Sequence, residues 1–207
     1  MAPLTPYGII NGAPVTNPDG KPSFNFAGIP FAVENNKWGD PNRIKIRTPI
    51  GKDIFYTTGP NTSPKYSFDV AGADKTSTFT LNTPAAVDTE YSTFQGGLGK
   101  TLFKLTDDAV GRRTNFKAGL GENFFEIEKP RDSITNVYGN QPNDPKTQTS
   151  VLNLGKGWKH TEKPFPGTAK VEGAKYYFNP TAANGSAPPY VNAIGDFNQI
   201  NLADEKK

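Results

Sequence analysis

The chain has 207 residues, with 23 basic and 20 acidic side chains and a formal net charge of +3. It contains no cysteine, one histidine and one methionine, against 14 phenylalanines, 8 tyrosines, 21 glycines and 19 prolines. Because leucine is scarce and phenylalanine common, we expect much of the core to be aromatic. This composition excludes disulfides, thiolate catalysis and metal sites built from several cysteines or histidines. The weak positive charge does not require a polyanionic partner.

The first 22 residues are rich in proline and predict an extended N-terminal arm. Proline fixes φ and lacks an amide donor, so the spacing of Pro3, Pro6, Pro14 and Pro18 excludes a regular helix. No basic segment followed by a long apolar one is present, so we expect no cleaved signal peptide and a location in a virion or the cytoplasm. No run approaches the roughly 18 apolar residues of a membrane helix, so no membrane span is expected.

Residues 23–178 alternate apolar and polar side chains in short segments, as in Arg43–Arg47 and Phe125–Glu128. Successive side chains of a strand point to opposite faces, so this pattern is typical of half-buried strands. Turns rich in glycine, proline and asparagine separate the segments, and no internal repeat is evident. The sequence therefore predicts an all-β domain: a single antiparallel sandwich or barrel, jelly-roll-like, with long loops and extended arms at both ends.

Residues 179–207 are interpreted as a linker followed by a C-terminal arm. The segment 179–189 is rich in proline, alanine and asparagine, which is typical of a linker. Beyond it, in residues 190–203, apolar residues recur every three positions, which suits either one helix with a drifting apolar stripe or an extended arm that contacts a neighbour at intervals. The predicted subunit-contact residues in the two arms are Tyr7, Ile9, Ile10, Val191, Ile194, Phe197 and Ile200.

Three features resemble reactive sites, and each has a simpler interpretation. The segment 96–101 ends like a phosphate-binding loop, but position 94 holds Phe94 where that motif needs glycine, and no strand–helix alternation surrounds it. His160 stands alone, and Glu126 and Glu128 alternate with apolar residues as solvated side chains do. We therefore predict no catalytic, cofactor-binding or metal-binding residue, and a protein that is not an enzyme.

A basic strand face supports an alternative function, the binding of single-stranded nucleic acid by a β-barrel. Alternate cations on one strand, with aromatic rings beside them, could follow a phosphate backbone and stack on its bases. The same pattern also occurs on charged, solvated strands. The residues of this alternative are Arg43, Lys45, Arg47, Tyr56, Lys65, Tyr66, Arg112 and Arg113.

The function that the sequence favours is a non-enzymatic structural subunit of a larger assembly. The reasons are the scarcity of reactive side chains, the predicted arms and the β-rich composition, which resembles that of virus-particle proteins. The most concrete version is a virion- or capsid-associated protein, such as a minor capsid, cement or tail component. Its partners would be other protein subunits of the assembly, alike or different. A second alternative is a carbohydrate-binding β-domain in which Trp38 and Trp158 stack on sugars.

Overall fold

The computed structural model describes part of the chain, in segments that cover most of its second half. The described residues are 8–10, 13–15, 25–26, 29–30, 43–45, 53–58, 67–70, 72–84, 91–141, 148–162, 164, 172–180 and 189–205.

Within these residues the structure is built from strands and one short 3-10 helix. The first strands are β1 (Gly8–Ile10), β2 (Ala13–Val15), β3 (Asn25–Phe26), β4 (Ile29–Pro30), β5 (Arg43–Lys45), β6 (Ile54–Thr58), β7 (Ser67–Asp69), β8 (Ser77–Leu81) and β9 (Ser92–Gln95). The remaining elements are β10 (Thr101–Leu105), β11 (Arg113–Lys117), β12 (Glu122–Ile127), β13 (Ile134–Tyr138), β14 (Thr149–Leu154), β15 (Trp158–Thr161), β16 (Ala174–Pro180), β17 (Tyr190–Ile194), β18 (Gln199–Leu202) and the 3-10 helix Ala203–Glu205.

The strands form a parallel β-solenoid with two sheets, so the predicted antiparallel sandwich or barrel is wrong. Sheet I has the order β18-β14-β12-β10-β8-β6-β1-β2, and sheet II has the order β15-β16-β17-β13-β11-β9-β7-β5. From β5 to β14 the chain alternates between the two sheets, so every coil adds one strand to sheet I and one strand to sheet II. Neighbouring strands from successive coils pair in parallel, while β1–β2 and the β15–β16 hairpin add antiparallel strands at the ends.

The prediction failed because side-chain alternation does not encode strand direction. A parallel strand in most α/β proteins is covered on both faces and reads as a continuous apolar run. In this solenoid each sheet covers the core with one face only, so its parallel strands alternate as antiparallel strands do. The connection that parallel pairing needs is supplied by the strand of the opposite sheet.

The core is a ladder of aromatic side chains in register along the solenoid. Phe79, Phe103 and Phe125 are successive partners in sheet I, with ring centroids 5.6 and 4.8 Å apart in stacked pairs. Phe94 and Phe116 face them from sheet II, and Phe103 and Phe116 lie 5.1 Å apart. These rings are all buried. Aromatic burial and ring contacts therefore supply much of the apolar stabilisation of this leucine-poor chain.

Two glycine-rich corners, here called the Gly-Leu-Gly corners, stack on each other in successive coils. They comprise residues 97–99 between β9 and β10, and residues 119–121 between β11 and β12. A Cβ on Gly119 would lie 2.1 Å from the carbonyl oxygen of Gly97, so only glycine permits this approach. In each corner the first residue of the motif donates its amide to a side chain of the following strand: Gly97 to Thr101 Oγ1 at 3.2 Å and Gly119 to Asn123 Oδ1 at 2.7 Å. The segment that resembles a phosphate-binding loop is thus one of two repeated corners.

The C-terminal segment is the last coil of the solenoid, so the predicted extended C-terminal arm is wrong over β17 and β18. Strand β17 pairs with β13 and β18 pairs with β14, both in parallel. The β15–β16 hairpin lies between these coils in the sequence and extends sheet II beyond β17. The amide of Gly157 donates to Asp204 Oδ2 at 2.6 Å, which ties the start of the hairpin to the 3-10 helix.

Candidate binding surfaces

The outer face of sheet II carries a ladder of amide side chains across four strands. Asn192 Nδ2 donates to Asn136 Oδ1 at 2.8 Å, and Asn136 Nδ2 donates to Asn115 Oδ1 at 2.9 Å. Asn115 Nδ2 in turn donates to Thr93 Oγ1 at 3.2 Å. Asn136 and Asn115 therefore each donate and accept one bond along the ladder, and Asn192 donates one, which fixes the orientation of all three amides.

Tyrosines flank the amide ladder and are held in the neutral form. Burial raises the pKa of Tyr91, against the opposing effects of Arg113 and a hydrogen bond with the Asn136 side chain. Burial, reinforced by Tyr91, also raises the pKa of Tyr138 and of Tyr190, with Arg113 opposing the rise at Tyr190. These phenols therefore keep their protons to a higher pH than an exposed tyrosine does.

A groove of about 730 Å³ runs beside the ladder, where the strands of sheet II enter the corners. Its floor is a row of four in-register side chains: Gln95, Lys117, Tyr138 and Ile194. One wall is the backbone of the corners after β9, β11 and β13. Gln141, Gln148, Glu172 and Leu120 also line the groove. We call this site the sheet II groove.

Two glutamines of the groove are fixed by the corner backbone. Gln95 Nε2 donates to the Ala118 carbonyl at 2.6 Å, and Gln148 Nε2 donates to the Gly119 carbonyl at 2.7 Å. Gln148 is only 4% exposed, and its Oε1 has no hydrogen-bond partner. Lys117 Nζ lies 5.3 Å from the centroid of the Tyr138 ring, a cation–π distance. The groove thus combines oriented amides, one aromatic ring, one cation and one carboxylate.

The outer face of sheet I carries a row of side chains, four apolar and one threonine, that are in register across five strands. The row, here called the sheet I row, consists of Phe55, Thr78, Leu102, Phe124 and Val151. Phe55 is 52% exposed, while the other members are half-buried. In the neighbouring row Lys104 Nζ lies 3.2 Å from Glu126 Oε2.

The members of the predicted nucleic-acid-binding set that the structure describes lie in different parts of the fold. Arg43 and Lys45 belong to β5 at the edge of sheet II, whereas Tyr56 is buried in the core. Arg112 is buried too, and donates to the Thr83 carbonyl at 2.6 Å. Arg113 lies on the outer face of sheet II and donates to the Asp132 carbonyl at 2.6 Å. The rest of the set, Arg47, Lys65 and Tyr66, lies outside the described residues.

The predicted subunit-contact residues of the C-terminal segment pack mainly inside the protein. Val191 is a core residue, Ile194 is buried, and Ile200 is half-buried against the core. The Phe197 ring lies edge-on to Phe125, with centroids 6.2 Å apart. Of the N-terminal set, Ile9 and Ile10 belong to β1, and Tyr7 lies outside the described residues.

The side chains considered for chemistry are dispersed. Exposed His160 contacts the rings of Tyr176 and Phe178, each with centroids 5.7 Å apart, and Glu126 pairs with Lys104. Trp158 is buried in the core, and Trp38 is outside the described residues. Among the residues that the structure describes, no three acidic or histidine side chains are grouped to hold a metal ion.

Sequence reasoning missed the sheet II groove because its residues belong to different coils. The only local signal was the repeated Gly-Leu-Gly motif at 97–99 and 119–121, which marks two adjacent corners. Comparisons with protein-family models, curated proteins and solved structures found no match to this chain. The described residues include no helix long and apolar enough to span a membrane.

Proposed function

We propose that this protein is a non-enzymatic structural subunit, and that copies of it associate through the outer face of sheet I. The sheet I row is the observation that carries the proposal. Four of its five side chains are apolar and none is fully buried, and apolar side chains grouped on a protein surface commonly mark interfaces. The setting expected from composition, a virus particle, stays a prediction.

A second copy of the chain is the partner that suits this face. The sheet I row lies on the outer face of a sheet, and sheets pack face to face about 10 Å apart through interdigitated side chains. Both signs of charge flank the row: Lys104 pairs with Glu126 at 3.2 Å, and Lys100 Nζ lies 4.9 Å from the centroid of the Phe124 ring. A two-fold arrangement brings the same patch of both copies together, so each cation can approach an acid of the other copy.

The experiment uses sedimentation velocity to compare the wild-type protein with two variants, Phe124→Glu and Leu98→Glu. Phe124→Glu places a charge in the centre of the sheet I row, whereas Leu98→Glu places the same charge on an exposed corner leucine, 51% exposed, outside the row. We expect wild type and Leu98→Glu to associate as concentration rises over about a hundredfold range, and Phe124→Glu to remain monomeric.

Retention of the wild-type circular dichroism spectrum shows that each variant is folded. If Phe124→Glu is not folded, Val151→Glu tests the same row on β14, the strand next to the one that carries Phe124. A wild-type protein that stays monomeric throughout, or a folded row variant that associates as wild type does, contradicts the proposal.

A further inference from the structure

We propose that the sheet II groove binds a linear, uncharged glycan chain. The inference is independent of self-association, since the groove lies on the opposite sheet from the sheet I row. It rests on the shape of the groove, on the fixed orientation of its polar groups and on its charge.

The shape of the groove suits a chain. Its floor crosses four neighbouring strands, from Gln95 on β9 to Ile194 on β17. Neighbouring strands lie about 4.8 Å apart, so the floor is about 14 Å long and offers a new side chain at each step. A polymer that lies along the solenoid axis meets this series of side chains in order.

The polar groups are oriented before any ligand arrives. Because Gln95 and Gln148 each donate to a corner carbonyl, their remaining amide atoms have fixed positions. Gln148 Oε1 is buried and accepts no hydrogen bond, and an unsatisfied buried oxygen costs stability. A hydroxyl donor that reaches this oxygen recovers that cost. Sugars carry both the hydroxyl donors and the acceptors that such amides require.

Apolar and charged side chains narrow the ligand class further. The Tyr138 ring and the exposed Leu120 side chain offer apolar contact of the kind that the C–H faces of sugar rings make, while Ile194 is almost completely buried beneath the groove. Lys117 and Glu172 contribute opposite charges, so the described lining has no excess of cations. Nucleic acid needs several cations to replace its counterions, and an added peptide strand needs a free sheet edge rather than a sheet face. An uncharged, hydroxyl-rich chain fits best.

The test uses isothermal titration calorimetry with three uncharged linear hexasaccharides: β-1,4-linked glucose, β-1,4-linked mannose and α-1,4-linked glucose. We expect saturable binding of at least one, with a dissociation constant near 1 mM or below. Tyr138→Ala and Gln148→Met should each weaken that binding by about tenfold, the loss of one contact worth about 1.4 kcal/mol.

The two corner leucines provide a matched control. Leu120 lines the groove and Leu98 occupies the equivalent position one coil earlier, with exposures of 49% and 51%. Leu120→Ala should weaken binding, while Leu98→Ala should leave it unchanged. Amide chemical shifts of the wild-type protein give a second measurement if Gln148→Met does not fold, and the Gly119 and Gly139 amides should shift most on titration.

Two results would overturn the inference. One is the absence of saturable binding by all three hexasaccharides up to about 10 mM. The other is binding that persists in folded Tyr138→Ala and shifts amides away from the groove. Binding of a poly-dT oligonucleotide that falls steeply with salt, without hexasaccharide binding, would assign the surface to nucleic acid instead.

Discussion

Replacement of Gly121 by alanine tests whether the stacked corners hold the coils together. A Cβ at this position would lie 2.2 Å from the carbonyl oxygens of both Leu98 and Gly99. Gly121 does not have a positive φ, so alanine meets no conformational penalty of its own. The whole effect must therefore come from the clash with the preceding corner.

The expected loss of unfolding free energy is about 3 kcal/mol. Forcing extra volume into a packed site costs about 1–3 kcal/mol. The corner must move to make room, and that movement breaks the 3.3 Å hydrogen bond from the Gly121 amide to the Gly97 carbonyl. Such a bond contributes about 0.5–1.5 kcal/mol. For a chain of this size a loss of about 3 kcal/mol lowers the melting temperature by about 6–12 °C.

Urea and thermal unfolding followed by circular dichroism measure this loss, with two glycine controls. Gly72→Ala places its Cβ in open space and should be neutral or stabilising by about 0.4–1 kcal/mol. Gly111→Ala also meets open space but at a φ of 73°, so it isolates backbone strain of about 1–2 kcal/mol. A Gly121→Ala protein within about 0.5 kcal/mol of wild type would refute the reasoning.

Three further substitutions test the core, the amide ladder and the buried phenol, each by urea unfolding. Phe103→Ala should lower the free energy of unfolding by about 3–5 kcal/mol because it opens a cavity between the stacked rings of Phe79 and Phe125. Phe103→Leu should lower it less, and equal losses would contradict a stabilising role for the stacked rings. Asn136→Ala should lower the free energy of unfolding by about 2–3 kcal/mol because it leaves Asn115 Oδ1 and Asn192 Nδ2 without their partners. An unchanged free energy of unfolding would show that water replaces both hydrogen bonds. Burial raises the pKa of Tyr56, so the folded protein keeps a phenolic proton that the unfolded chain loses above about pH 10. The contribution of Tyr56 to the free energy of unfolding is thus complete below about pH 10 and falls as the pH rises further. Tyr56→Phe should reduce the slope of the free energy of unfolding against pH by about 1.4 kcal/mol per pH unit in this range. An unchanged slope would exclude Tyr56 as the source of the fall.

The strand content could be predicted from local chemistry. Alternation of Phe125 and Ile127 with glutamates marks a strand with one buried face, and the structure places both residues in the core. The abundance of phenylalanine predicted an aromatic core, and the phenylalanine ladder of sheet I confirms it. These predictions succeeded because strand faces follow from the geometry of consecutive residues.

Strand direction and the partners of each strand could not be predicted in this way. The apolar spacing of Val191, Ile194, Phe197 and Ile200 suggested an arm, yet it reflects two strands and the corner between them, packed on preceding coils. The long β15–β16 insertion before this coil also disguised the repeat. Register between coils depends on contacts between residues far apart in the sequence, which no local pattern contains.

The sequence by itself determined that the chain forms strands, that its core is aromatic and that it lacks thiol chemistry and multi-histidine metal chemistry. Tertiary structure alone decided that the strands stack in parallel, that Gly-Leu-Gly segments are corners and that Tyr56 and Arg112 are buried. It also brought Gln95, Lys117, Tyr138 and Ile194 into one row. The physical reason is that composition and alternation act residue by residue, whereas a surface built across strands depends on the register of whole coils.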